Sequence, residues 1–238
     1  MFHQTLLNNM CSANQPEIVG AAPPAPVQDQ LEPYYCFPTT VYSIDKPEFI
    51  KPVKEVAIEA LRRSKSNGKL DEIYPVYMTE SLIPDPRMDD FANYVSATAW
   101  NILKSQGYAM NMFLPMFTEL WCQEHHKHSS MEQHVHGYGA QMVGFYFLDC
   151  PENCSKVVFH DPKAGKVQSG LPEENMSMAS PASNMVFFDP KPGMLMFANS
   201  WLAHSFTRNA SDKPMRFIHF NLSVQLAPQQ AVAPAEVI

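Results

Sequence analysis

Gly144-Phe145-Tyr146-Phe147-Leu148-Asp149 and, a short gap later, Val158-Phe159-His160-Asp161-Pro162 decide how this chain folds. Each is a short apolar run, rich in aromatic and β-branched residues, that stops at turn formers. That is the pattern of a buried strand. Working outward, similar runs occupy 113–122, 141–149, 156–160, 185–188, 194–198 and 215–224. Asp161-Pro162-Lys163-Ala164-Gly165 and Asp189-Pro190-Lys191-Pro192-Gly193 punctuate them. Many short strands separated by turn signals make a β-sandwich or barrel.

Before Gly107 the texture is helical. Thr39 to Tyr42 reads as a first strand, and Asp45 and Pro47 open a helix. Val53, Val56, Ala57, Ala60 and Leu61 recur at helical spacing and mark its apolar face, with Gly68 placed to stop it. Residues 74–88, with three prolines, read as a loop. A second helix starts after Asp89 or Asp90, either of which can cap it. Its stripe is Phe91, Tyr94, Val95, Ala99 and Ile102, with Thr98 as the polar member, and Gly107 ends it. Two helices ahead of an all-β block would brace one face of a sandwich.

The 238 residues hold 45% hydrophobic and 17% charged residues, a globular balance. A net charge of −7 disfavours a phosphate-tracking nucleic-acid binder. Proline (21) outnumbers glycine (9), and no glycine-rich phosphate loop occurs. Residues 1–33 and 226–238 read as flexible Pro/Ala-rich tails around a domain at 34–225. With neither a membrane-spanning apolar run nor a secretory leader, the expected compartment is the cytoplasm, or the host cytoplasm if the chain is viral. Five scattered cysteines do not make a disulfide framework, and the Cys150/Cys154 pair lacks a second pair for zinc.

The chemistry lies in the histidines. His134-x-His136 on a strand would point two imidazoles to one side. A third ligand from a distant strand, best His204, would complete a facial metal site with open positions. Arg216, inside the apolar run Met215-Arg216-Phe217-Ile218-His219-Phe220-Asn221-Leu222, needs an anion. That anion is either a ligand carboxylate gripped by its guanidinium or a structural aspartate. His125, His126 and His128 read as an exposed polar loop, a lip of the site or, least of all, ligands. Trp201 is either a pocket wall or a core residue.

With these pieces in place, the chain resembles the double-stranded β-helix oxygenases that use Fe(II) and 2-oxoglutarate. It looks most like the prolyl 4-hydroxylase-related members common in marine viruses and bacteria. The pieces that carry the resemblance are His134-Val135-His136, Gly144 to Asp149, Val158 to Pro162, Pro192-Gly193-Met194-Leu195, Ser200-Trp201 with His204, and Arg216 ahead of Phe220-Asn221.

The resemblance implies a jelly-roll, cupin-like core braced by the two helices. It implies His134, His136 and His204 as iron ligands and Arg216 on the far carboxylate of 2-oxoglutarate, with Gln141 and Tyr146 lining the cosubstrate. It also implies O2 as co-reactant, release of succinate and CO2, and hydroxylation of a substrate such as a peptidyl side chain. Two departures stand out. Position 136 is His where the widespread motif has a carboxylate, leaving Asp161 as an alternative ligand. Ile218 replaces a hydroxyl found two residues after the arginine. A three-histidine cupin-type enzyme without 2-oxoglutarate and a non-enzymatic β-helix assembly module are the alternatives.

Overall fold

A computed structural model describes residues 32–137 and 139–227, with the side chains of 167–169 left aside. The chain divides at Pro38/Thr39, and residues 32–38 are exposed and belong to no helix or strand. Most of both expected tails lies outside the described residues.

Among the described residues, ten strands form two antiparallel sheets. They are β1 (Val41–Asp45), β2 (Val76–Met78), β3 (Phe113–His125), β4 (Met131–His134), β5 (Ala140–Asp149), β6 (Val157–His160), β7 (Met185–Phe188), β8 (Met194–Asn199), β9 (His204–Phe206) and β10 (Met215–Leu226). One sheet has the order β1-β8-β5-β10-β3-β2, the other β4-β9-β6-β7. Taken from β3 to β10, the strands alternate between the sheets, apart from the β6–β7 pair within the small one, as in a jelly roll or double-stranded β-helix. The expected runs are these strands with ends shifted by up to three residues.

Three local readings change. The first strand is Val41–Asp45 rather than Thr39 to Tyr42, because its partner β8 continues to Met194, opposite Asp45. The 74–88 loop contains β2, which pairs with Gln123–His125 at the sheet edge. The 131–134 segment is also a strand, although Glu132 and Gln133 leave it without an apolar pattern.

Helix α1 (Ile50–Asn67) buries Val53, Val56, Ala57, Ala60 and Leu61, the face read from periodicity. Helix α2 (Asp89–Ser105) buries Phe91, Val95, Ala99, Ile102 and Leu103, with Tyr94 packed at the edge. Asp89 and Asp90 do not cap it. They lie in its first turn, where negative charge still favours the helix dipole. Asp85 does the capping one turn earlier, accepting the Arg87 N–H.

The six-stranded sheet therefore has two buried faces. The outer face, with Leu120, Cys122, Tyr146, Leu195, Ile218 and Phe220, packs on the helices. The inner face, with Val143, Phe145, Phe147, Met196 and Phe217, packs on Phe159 and Phe206 of the small sheet. Gly144 sits where a β-carbon would overlap the Phe220 ring and the Met196 carbonyl oxygen.

Candidate metal centre

Sheet register assembles the site. His134, the last residue of β4, is the direct cross-strand partner of His204, the first of β9. His136 lies just past the strand, not on it. Its N–H donates to the Ser200 carbonyl (3.0 Å), which turns it back toward His204. One ligand nitrogen from each of the three lies within 4.8 Å of the others. The His136 and His204 rings stack 5.1 Å apart at 6°, with their Nε2 atoms 3.3 Å apart.

Hydrogen bonds fix two of the tautomers. His134 Nδ1–H donates to the Glu132 carbonyl (2.8 Å) and His204 Nδ1–H to the Leu202 carbonyl (3.0 Å). Each leaves a bare Nε2 lone pair, the arrangement a metal-ligating histidine needs. Burial, helped by the neighbouring imidazoles, pushes the His136 pKa down to about 4. For His204 burial outweighs its bond to Leu202 and takes it to about 3. Both are neutral at pH 7, and an all-imidazole donor set suits Fe(II) among first-row ions.

His136 carries a second partner set, which sequence reading missed. Asn221 Nδ2 donates to the Glu119 carboxylate and to His136 Nδ1 (2.8 Å). Asn221 Oδ1 is buried without a partner. A half-turn of the Asn221 amide would bring that oxygen to His136 Nδ1–H and free Nε2 for a cation. Burial outweighs the Asn221 hydrogen bond and raises the Glu119 pKa above the ordinary carboxylate value. The donor set therefore fits a divalent transition metal.

Glu119, Trp121, Gln123 and His125 alternate along β3, and His219 and Asn221 along β10. Glu119 stands opposite Asn221, and Trp121 opposite His219. Polar residues at i, i+2 in an otherwise apolar strand were the available signal.

The remaining expected site residues fall elsewhere. Arg216 is on the outer face with Ile218 and Phe220, away from the histidines. Its Nε donates to Glu124 Oε2 (2.6 Å) and its Nη1 to Asp149 Oδ2 (2.9 Å), its neighbours across β3 and β5. Lys65 pairs with Glu124 (2.7 Å) and Lys54 with Asp149, so the network clamps α1 to the sheet. The anion that Arg216 requires is structural.

Tyr146 is also on the outer face. Its hydroxyl donates to the Lys46 carbonyl (2.7 Å) and its ring packs on Phe91. Gln141 uses Oε1 to accept the Val224 N–H (2.8 Å) at the β10 bulge. Asp161 binds Lys166 (2.9 Å) and the Lys163 N–H, and does not join the histidines.

The 125–128 segment is not a uniform exposed loop. His125 is fully buried against Phe206 and Phe217, and His126 bonds to Glu124. Only His128 is exposed. Cys150 and Cys154 are free thiols. Trp201, half exposed, borders a cleft of about 420 Å³ shared with Tyr108, Gln141 and Ser200.

A jelly roll carrying three convergent histidines offers the donor arrangement that a non-haem metal site of the cupin and oxygenase type needs. Residues 119–221 match the model of a family described as "Putative 2OG-Fe(II) oxygenase". The matched stretch runs from β3 into β10 and is what the chain shares with that family. No curated protein matches the chain in sequence.

Among solved structures it is similar to a Pseudomonas putida prolyl-4-hydroxylase. The identity is 10% over 78% of this chain and 93% of that one, with a TM-score of 0.51. It is also similar to a Trichoplax adhaerens prolyl hydroxylase in complex with a hypoxia inducible factor peptide fragment. There the identity is 10% over 77% and 83%, with a TM-score of 0.52. A third likeness is to HygX from Streptomyces hygroscopicus with nickel, 2-oxoglutarate and hygromycin B bound, at 13% over 78% and 83%, with a TM-score of 0.52. At these identities the likeness is one of fold. No helix among the described residues is long and apolar enough to cross a membrane.

Proposed function

We propose that this chain is an Fe(II)- and 2-oxoglutarate-dependent dioxygenase that hydroxylates a side chain presented on a peptide. The observation that carries the reading is the convergence of His134, His136 and His204 within 4.8 Å in a domain matched to the oxygenase family. When bound, iron with 2-oxoglutarate would supply the oxidising chemistry, using O2 and releasing succinate and CO2.

The protein's part is to hold and shield. His134 and His204 present fixed Nε2 lone pairs, and Asn221 with Glu119 orients His136. Phe145, 5.4 Å from His204, and Phe159, 6.0 Å from it, wall the centre with apolar rings and keep water out. The peptide assignment follows the prolyl hydroxylase neighbours and is an analogy of fold. The family match weighs against the three-histidine enzyme without 2-oxoglutarate and against the assembly module.

The test is metal uptake with turnover. Purified protein given Fe(II) and 2-oxoglutarate should bind one iron per chain and release succinate slowly without substrate. His204→Ala should lose both while keeping its circular dichroism spectrum. A wild type that takes up neither iron nor 2-oxoglutarate would sink the reading.

A further inference from the structure

The reading above needs an anchor for the far carboxylate of 2-oxoglutarate, and Arg216 cannot provide it from the outer face of the sheet. Among the described residues no lysine or arginine is fully buried, and the half-buried Lys46, Lys54 and Lys166 are paired with Glu48, Asp149 and Asp161. What the inner face does present is a row of unspent polar atoms. Trp121 Nε1, His219 Nδ1 and His125 Nδ1 are buried and have no hydrogen-bond partner. A buried donor left unpaired costs about 1–3 kcal/mol, so three on one wall call for a ligand.

Their placement fits one. The His204, His136, His219 and Trp121 rings form a continuous row with centroid spacings of 5.1, 5.0 and 5.0 Å. Trp121 and His219 are the rung next to Glu119 and Asn221, the pair that holds His136. Two residues along a strand is about 7 Å. A five-carbon dicarboxylate held by a metal at the histidines could reach across that step. Gln123 and His125, bonded to each other at 2.8 Å, lie one rung further in.

We propose that Trp121 and His219 anchor the far carboxylate of the cosubstrate through neutral N–H donors, and that Arg216 has no part in binding it. This rests on the oxygenase reading and names its specificity residues. A carboxylate accepting neutral N–H bonds in a dry pocket is held without an ion pair. Selectivity for a dicarboxylate over a monocarboxylate 2-oxo acid then resides in those two side chains.

The experiment is calorimetric titration of the full chain loaded with Mn(II), using 2-oxoglutarate and 2-oxobutanoate, which lacks the far carboxylate. Wild type should prefer 2-oxoglutarate. Trp121→Phe keeps the ring and loses the N–H. It should bind 2-oxoglutarate about tenfold more weakly with 2-oxobutanoate unchanged, and His219→Phe should behave alike. Arg216→Met paired with Glu124→Gln, which strands no buried charge on Glu124, should keep the wild-type preference. The proposal is overturned if Trp121→Phe and His219→Phe keep that preference, or if the Arg216→Met/Glu124→Gln protein loses it. A wild type that binds Mn(II) but neither 2-oxo acid would remove the cosubstrate reading itself. One that binds both acids equally would remove only the anchor.

Discussion

Replacing Arg216 by Met should cost stability rather than cosubstrate binding. The guanidinium sits between Glu124, whose side chain is fully buried, and Asp149, and is itself only 22% exposed. Removing one partner of a buried pair costs about 3–5 kcal/mol, because the other charge is left in low dielectric. Here Lys65 and His126 still contact Glu124, and Lys54 still contacts Asp149. The expected loss is therefore about 2–3 kcal/mol, or about 5–10 °C in Tm for a domain of this size.

Urea unfolding followed by tryptophan fluorescence should show a lower midpoint with an unchanged slope. Adding Glu124→Gln should recover much of the loss, with a coupling of about 2 kcal/mol in the double-mutant cycle. The pH dependence has a fixed sign. Burial raises the Glu124 pKa, but Lys65 and Arg216 outweigh it and the net shift is downward. Burial acts likewise on Asp149, and Lys54 and Arg216 outweigh it there. The unfolded chain binds these protons first, so the network stabilises above the ordinary carboxylate pKa of about 4 and fades below it. An Arg216→Met protein within about 0.5 kcal/mol of wild type, or single variants that add without coupling, would refute the structural role.

Other expectations follow from the same geometry. Gly144→Ala should cost about 2–3 kcal/mol or prevent folding, read by the urea midpoint, because the new β-carbon meets the Met196 carbonyl as well as the movable Phe220 ring. Metal-free protein should lose stability as pH falls below about 6.5. Burial holds the His125 pKa at about 4, so the unfolded chain takes the proton first, at a cost nearing 3 kcal/mol by about pH 4. His125→Phe should flatten that acid limb in urea midpoints at successive pH values, and an unchanged limb would exclude His125 as its source. Calorimetry should find 2-oxoglutarate affinity at least about tenfold lower without the metal than with Mn(II).

The sequence exposed what is periodic and local. The five buried positions of α1 were readable because one helix face repeats at i, i+3, i+4, i+7 and i+8 from Val53 to Leu61. Strands such as β5, β6 and β7 were readable because their apolar runs stop at Asp149, Asp161 and Asp189. His134, His136 and His204 stood out because imidazoles are rare enough for their spacing to carry information. What stayed hidden was sidedness. Both faces of β10 are apolar, so alternation could not say which one met the other sheet, and Arg216 was credited to the inner face. Counting by twos from Asn221 gives His219 and Phe217 on one side, and Ile218 and Arg216 with Phe220 on the other. Strands β2 and β4 were hidden for the opposite reason, since neither three nor four partly polar residues establish a period.

Charge counted face by face changes what the site must do. The outer face holds Lys54, Lys65 and Arg216 against Glu124 and Asp149. The inner face holds imidazoles, an indole and amides, with Glu119 at its rim. A dicarboxylate entering the inner face meets no fixed side-chain cation. The metal is then the main positive charge available to it, and its attraction is strong in a low-dielectric interior. Three neutral ligands reinforce this, because they leave a divalent ion its full charge where a carboxylate at position 136 would cancel part. Histidine at 136 and the absence of an inner arginine are then complementary departures. The positive charge missing from the wall is retained at the metal, and neutral donors on β3 and β10 need only orient the far end of the ligand.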